Sequence, residues 1–204
     1  MKYKVLLALA AATLAGGVSA QSVATKGDPA KGKLIVQQVC AACHGIDGNS
    51  VASTNPTLAG QHPGYIVTQL KAFKGGTRKN PIMTGMASTL SDSDVLNVAA
   101  YFSSQTPKPQ QAADKTLLEA GGQLYRGGNP VTHVPACMAC HGPEGGGIPE
   151  EFPRLAGQQP DYVLKQLNDF KAGTDRSNPM MSTIANRLSD AEMKAVTQYI
   201  SGLR

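Results

Sequence analysis

The chain has four cysteines, and two hexapeptides hold all of them: CAACHG at 40–45 and CMACHG at 137–142. Two thiols three positions apart, followed at once by histidine, form the attachment signature of c-type haem. Each thiol adds to one vinyl group of the porphyrin, and the adjacent imidazole comes up beneath the iron as its proximal ligand. The spacing assigns Cys40, Cys43 and His44 to one covalently bound haem c, and Cys137, Cys140 and His141 to a second. Two other readings compete. In an oxidising compartment four cysteines can form two disulfides, and Cys-x-x-Cys opens many zinc sites. Both pairs continue into His-Gly and no cysteine is left over, which favours haem.

The two motifs belong to a longer repeat. At an offset of 97, PTLAGQHPGY (56–65) falls on PRLAGQQPDY (153–162), and Gln69, Leu70, Phe73 and Lys74 fall on Gln166, Leu167, Phe170 and Lys171. One inserted residue raises the offset to 98, where NPIM (80–83) meets NPMM (178–181) and LSD (90–92) meets LSD (188–190). Upstream, GKL at 32–34 pairs with GQL at 122–124, which leaves seven extra residues in the second copy. Two copies are too few for a solenoid. They read as two similar globular domains.

The repeat also selects the iron ligand on the opposite face of each ring. Methionine there gives a six-coordinate site suited to electron transfer. Met138 lies inside its own attachment motif and does not reach across the ring, and Met193 falls on the apolar face of the last helix, where Met fills cores readily. Met83 or Met86 remains in the first copy and Met180 or Met181 in the second. Met83 aligns with Met181, whereas Met86 aligns with Ile184 and Met180 with Ile82. A shared architecture therefore points to Met83 and Met181, with Met86 and Met180 packing at the haem edge. A metal-bound histidine normally donates its other ring hydrogen to a carbonyl or carboxylate. Pro56 and Pro153, aligned just after each motif, either offer that carbonyl or only stiffen the loop. His62 is replaced by Gln159 in the other copy, and His133 reads as an exposed loop residue.

The elements that must hold these residues are helical, and no convincing alternating strand occurs. Asp28 caps a first helix with Pro29 at its first position, running to the cysteine pair. Tyr65, Ile66, Leu70 and Phe73 form one helical stripe, stopped by Gly75-Gly76. SDSD (91–94) and SDAE (189–192) are capping boxes that open the last helix of each copy. Val95, Val98, Ala99 and Phe102 form the apolar face of one, and Met193, Val196, Ile200 and Leu203 that of the other. QTPKPQQAADK (105–115) reads as a fairly extended connector between a first domain at 21–104 and a second at 116–204.

The first twenty residues read as a cleaved signal peptide. Lys2 and Lys4 precede a short apolar stretch, and VSA at 18–20 is a small-residue cleavage site. Removing 20 of 204 residues leaves a chain of 184 that has no Trp and only four Phe. Halves of that size are short of buried apolar area, so something other than side chains fills each middle. A porphyrin meets that need.

Together the two attachment motifs, the paired P-x-LAGQ loops, NPIMTGMASTLSDSD, AAYFSSQ, GGQLYRGG and the closing YISGL resemble the dihaem cytochrome c4 family over essentially the whole mature chain. The resemblance implies an all-α fold of two tandem class I cytochrome c domains facing each other, with the haems near their interface and exchanging electrons. It implies iron ligation by His44 and Met83 in one domain and by His141 and Met181 in the other, in agreement with the repeat. It also implies a periplasmic carrier, not an enzyme, with a quinol-oxidising complex or a dehydrogenase as donor and a terminal haem–copper oxidase as acceptor. Membrane association is at most peripheral. The stretch 125–136 is where loop length changes surface contacts.

Charge adds little about partners. The mature chain carries 17 basic and 14 acidic residues, seven against four in 21–106 and ten against ten in 107–204. The first domain is the more cationic, which suits steering to an acidic partner or a merely solvated face. No basic nucleic-acid motif occurs. Two rival functions are a cytochrome subunit of a flavoenzyme, and a dihaem redox enzyme such as a peroxidase or thiosulfate dehydrogenase. The enzyme needs an open or reactive iron position; there is no fifth cysteine, and both ligand loops contain Met.

Overall fold

The computed structural model describes residues 26–204, so the signal peptide expected over 1–20 lies outside the described residues. The first domain begins with α1 (Pro29–Ile35), which passes through one π-helical turn (Val36–Cys40) into α2 (Ala41–His44). It continues with α3 (Pro63–Lys74), α4 (Pro81–Ser88) and α5 (Asp92–Ser103). The second repeats the plan with α6 (Leu118–Gly127), α7 (Met138–His141), α8 (Pro160–Ala172), α9 (Pro179–Arg187) and α10 (Asp190–Gly202). Among the described residues there is no strand, only the isolated bridges Asn129–Val134 and Ile148–Phe152.

Local chemistry starts and stops these helices as expected. The Asp28 carboxylate accepts from the Ala30 and Lys31 amides, and Pro29 sits in the first turn. Ser91 with Asp94, and Ser189 with Glu192, close complete capping boxes, each satisfying two amides that the first helical turn leaves unpaired. The π-helical turn was not foreseen. It carries α1 without a break to the cysteine pair, where the second domain instead inserts a loop between α6 and α7.

That difference corrects the upstream alignment. α1 crosses α5 so closely that a Cβ on Gly32 would collide with the Asn97 carbonyl and the Tyr101 side chain. The equivalent collision in the second domain, with Ala195 and Tyr199, is met at Gly121 and not at Gly122. The extra loop is therefore one residue longer than the GKL/GQL pairing gives. Helix contact, not letter identity, fixes the register.

Each domain has its own core. Val36, Ile66, Val98, Ala99, Tyr101 and Phe102 form the first. Leu124, Tyr125, Val163, Phe170, Met193 and Ile200 are among the second. Met193 is fully buried, as its place on α10 requires. The segment between the domains is held at both ends. Asn49 donates to the Thr106 carbonyl and accepts from the Lys108 amide, and Lys108 pairs with Asp47 at 2.7 Å. Near its other end, the Asp114 amide donates to Gln198 at 3.0 Å.

The interface between the domains is polar and follows the repeat. Gln61 bonds the Arg154 backbone from one side, and Gln158 bonds the Thr57 backbone from the other. Arg78 lies over Phe73 of its own domain and donates to Tyr162 and Gln166 across the interface. Arg176 lies over Phe170 and donates to Tyr65 and Gln69. Each of these residues has its counterpart in the other domain, so the interface has an approximate two-fold relation.

Candidate haem sites

α2 and α7 carry the attachment motifs, each ending at its histidine with a glycine of positive φ next, Gly45 at 77° and Gly142 at 80°. That backbone favours glycine because a Cβ is strained there, which explains why both motifs read His-Gly. His44 and His141 are buried, at 6% and 7% exposure. His44 Nδ1 lies 3.0 Å from the Pro56 carbonyl oxygen, and His141 Nδ1 lies 3.0 Å from that of Pro153. A carbonyl only accepts, so Nδ1 carries the hydrogen and Nε2 is left with its lone pair. Burial lowers both imidazole pKa values, against the opposing pull of the proline carbonyls. Burial thus favours the neutral form of both rings, the form that binds a metal. Of the two roles open to the prolines, the carbonyl role is the one the structure shows.

The cysteines fit haem better than their alternatives. All four thiols are unpaired, with Cys43 exposed and the others half-buried. Burial pushes the Cys40 and Cys137 thiols up to about 11. Among the described residues no three His, Cys, Asp or Glu side chains converge as a zinc site requires. The sites also leave polar groups waiting for a partner. Thr57 Oγ1 and Arg154 Nε, at equivalent positions directly after Pro56 and Pro153, are buried without a hydrogen bond. A porphyrin with two carboxylates suits such donors.

The four methionines of the two ligand loops differ in placement. Asn80 caps α4 and accepts from the Met83 amide at 3.0 Å, and Asn178 caps α9 and accepts from the Met181 amide at 3.0 Å. Each follows a proline in the first turn, so the two helices present Met at the same position. Met83 and Met181 are half-buried, whereas Met86 and Met180 are 44% and 48% exposed. Met181 packs on the same apolar cluster as Cys137 and Met138. His133 is exposed, in a left-handed conformation, with its carbonyl accepting from Arg187. His62 is half-buried, and its Nε2 has no partner.

Sequence reasoning missed the interface residues Gln61, Arg78, Gln158 and Arg176. All four are repeated polar positions, and that repetition was the available signal.

A small helical domain closed round a Cys-x-x-Cys-His turn, present twice in one chain, defines a c-type cytochrome with two covalently bound haem c groups. The cytochrome c family profile matches residues 29–106 and 118–204. The chain is 49% identical over 181 residues to cytochrome c4 of Thiocapsa roseopersicina, covering 87% of this chain and 93% of that protein. It superposes on reduced recombinant cytochrome c4 from Pseudomonas stutzeri with a TM-score of 0.83 and 42% identity, covering 87% of this chain and 100% of that one. It is also 37% identical over 201 residues to a thiosulfate dehydrogenase electron acceptor from Stutzerimonas stutzeri, covering 92% of this chain and 93% of that protein. The chain belongs to the dihaem cytochrome c4 family, whose members are electron-transfer proteins and not enzymes.

Proposed function

We propose that this protein is a periplasmic carrier that takes electrons from a quinol-oxidising complex or a dehydrogenase and delivers them to a terminal haem–copper oxidase. The observation that carries this reading is the repeated pair of ligand frames. Each domain holds a buried histidine against a proline carbonyl and presents a half-buried methionine at the same position of a capped helix. We assign His44 and Met83 to the first iron, and His141 and Met181 to the second. Each iron, when bound, supplies reversible one-electron chemistry between the ferrous and ferric states. His44 with Met83, and His141 with Met181, would hold the two irons, and the chain's part would be to shield them from substrate and keep the two sites at a fixed spacing. We take the domains as 21–104 and 116–204 with 105–115 as connector, and export through cleavage after residue 20. No helix among the described residues is long and apolar enough to cross a membrane.

A second donor is favoured by one relative's name. The thiosulfate dehydrogenase electron acceptor of Stutzerimonas stutzeri is similar along most of both chains, which makes thiosulfate dehydrogenase a candidate among the donor dehydrogenases. The experiment that tests the carrier reading is an anaerobic visible spectrum of the reduced protein with and without carbon monoxide. Two saturated irons leave the spectrum unchanged. Ready binding at one haem marks an open position and overturns the ligand assignment in that domain. Stopped-flow reduction of the oxidised protein by a thiosulfate dehydrogenase with thiosulfate then separates the two donors.

A further inference from the structure

The hydrogen bonds that hold the histidines do not end within one domain. The Pro56 carbonyl, which accepts from His44, and the Thr57 amide belong to a single peptide group. That Thr57 N–H donates to Gln158 Oε1 of the other domain at 2.7 Å. The same holds in reverse: the Pro153 carbonyl accepts from His141, and the Arg154 N–H of the same peptide donates to Gln61 Oε1 at 2.9 Å. Both glutamines are buried, and their orientation is settled by what surrounds them. Gln158 Oε1 also accepts from the Gln159 amide, and its Nε2 donates to the Thr57 carbonyl. Gln61 Oε1 also accepts from the His62 amide, and its Nε2 donates to the Arg154 carbonyl. Flipping either amide would set NH2 against two N–H groups.

We propose that Gln158 tunes the reduction potential of the first haem and Gln61 that of the second, each acting across the interface through the peptide that holds the other domain's histidine. The inference rests on His44 and His141 being the iron ligands. A peptide whose N–H is engaged becomes a stronger acceptor at its carbonyl, by about 10–30% per bond in condensed-phase estimates. A stronger acceptor draws the Nδ1 hydrogen and makes Nε2 more basic. A more electron-rich ligand favours ferric over ferrous iron, so each glutamine holds the opposite potential down. The two glutamines are positioning residues, and they make the state of one domain's interface loop felt at the other domain's iron.

The test is a redox titration of the intact dihaem protein followed by the haem-methyl proton resonances assigned to each domain. Gln158→Met conserves volume and removes the amide acceptor. The expected result is a raised potential at the first haem with the second unchanged, and Gln61→Met gives the mirror image. Gln158→Asn, whose shortened amide no longer reaches Thr57, serves if the methionine is not accommodated. A shift in the haem of the mutated domain, an equal shift in both, or no shift overturns the inference. The ligand assignment is read separately, from the ring protons of His44 and His141 in the reduced wild-type protein. Ring protons without a haem ring-current shift mean the ligand assignment itself has failed. Shifted ring protons with no crossed change in potential sink the cross-domain tuning alone.

Discussion

Arg176 donates to the Tyr65 hydroxyl at 2.6 Å across the domain interface, and Arg78 returns the relation by donating to Tyr162 at 3.0 Å. Both guanidiniums also meet on one acceptor, Gln166 Oε1. Arg78 is buried and Arg176 half-buried, each lying against amide and phenol oxygens and over the face of Phe73 or Phe170. Removing Arg176 leaves the Tyr65 hydroxyl without its donor, whereas Gln69 and Gln166 keep Arg78, at a cost of about 1–3 kcal/mol for the group left unpaired.

Arg176→Ala is therefore expected to lower the stability of the intact protein by that order, and Tyr65→Phe by less. In a double-mutant cycle followed by denaturant unfolding, the second change should cost little once the first is made. Additive losses would show that the two side chains are not coupled.

The ligand assignment makes a sharper prediction. Met83→Leu is expected to open the first iron and Met181→Leu the second, so each variant binds carbon monoxide at one haem of the two. Met86→Leu and Met180→Leu, at the exposed neighbours, should bind none. Carbon monoxide titration of the four reduced variants reads the pattern directly. Binding by the Met86 or Met180 variants would move the assignment one turn or one residue along its helix.

Most of the site was legible because its parts are local. The thiols and histidine lie within five residues, and Asn-Pro before Met83 and Met181 is a helix start on its own terms. The cross-domain contacts were not legible. Gln158 and Thr57 are 101 residues apart, and Gln61 and Arg154 are 93 apart. No periodicity reports such a pairing. LAGQ was visible as a repeated string, and its glutamine matters because it leaves its own domain. The register of α6 was misjudged for a related reason, since Gly121 is chosen by its contact with α10, at the other end of the domain's sequence.

The helix crossings give a paired test of packing. Gly32→Ala and Gly121→Ala each drive a methyl into a backbone carbonyl, and overpacking of this kind costs about 1–3 kcal/mol. Gly127, the last residue of α6, has open space around it. Gly127→Ala should be neutral or stabilising, by up to about 1 kcal/mol from helix propensity. Thermal melts of the three variants decide it, and equal losses at all three would remove the close-crossing explanation.

The last prediction concerns pH and Glu192. This carboxylate accepts from Asn129 at 2.7 Å, which ties down the loop inserted before Cys137, and from the Ser189 amide at 2.8 Å, which caps α10. The Asn129 bond first, and then the Ser189 amide, hold its pKa below the ordinary glutamate range against a small opposing effect of burial. The folded value is depressed relative to the unfolded chain, whose glutamates titrate near about 4.3. The unfolded state therefore binds the proton first, and the stabilisation is fully present above that pH. It declines as pH falls from there through the depressed folded value. Glu192→Gln keeps an oxygen acceptor but cannot ionise, so it should lose about 0.5–1 kcal/mol at pH 7, the scale of a charged cap at a helix start. The difference from wild type should narrow toward pH 3. Urea denaturation of both proteins across pH 3–7 measures it, and a gap that stays constant would show that the charge of Glu192 plays no part in holding the loop to α10.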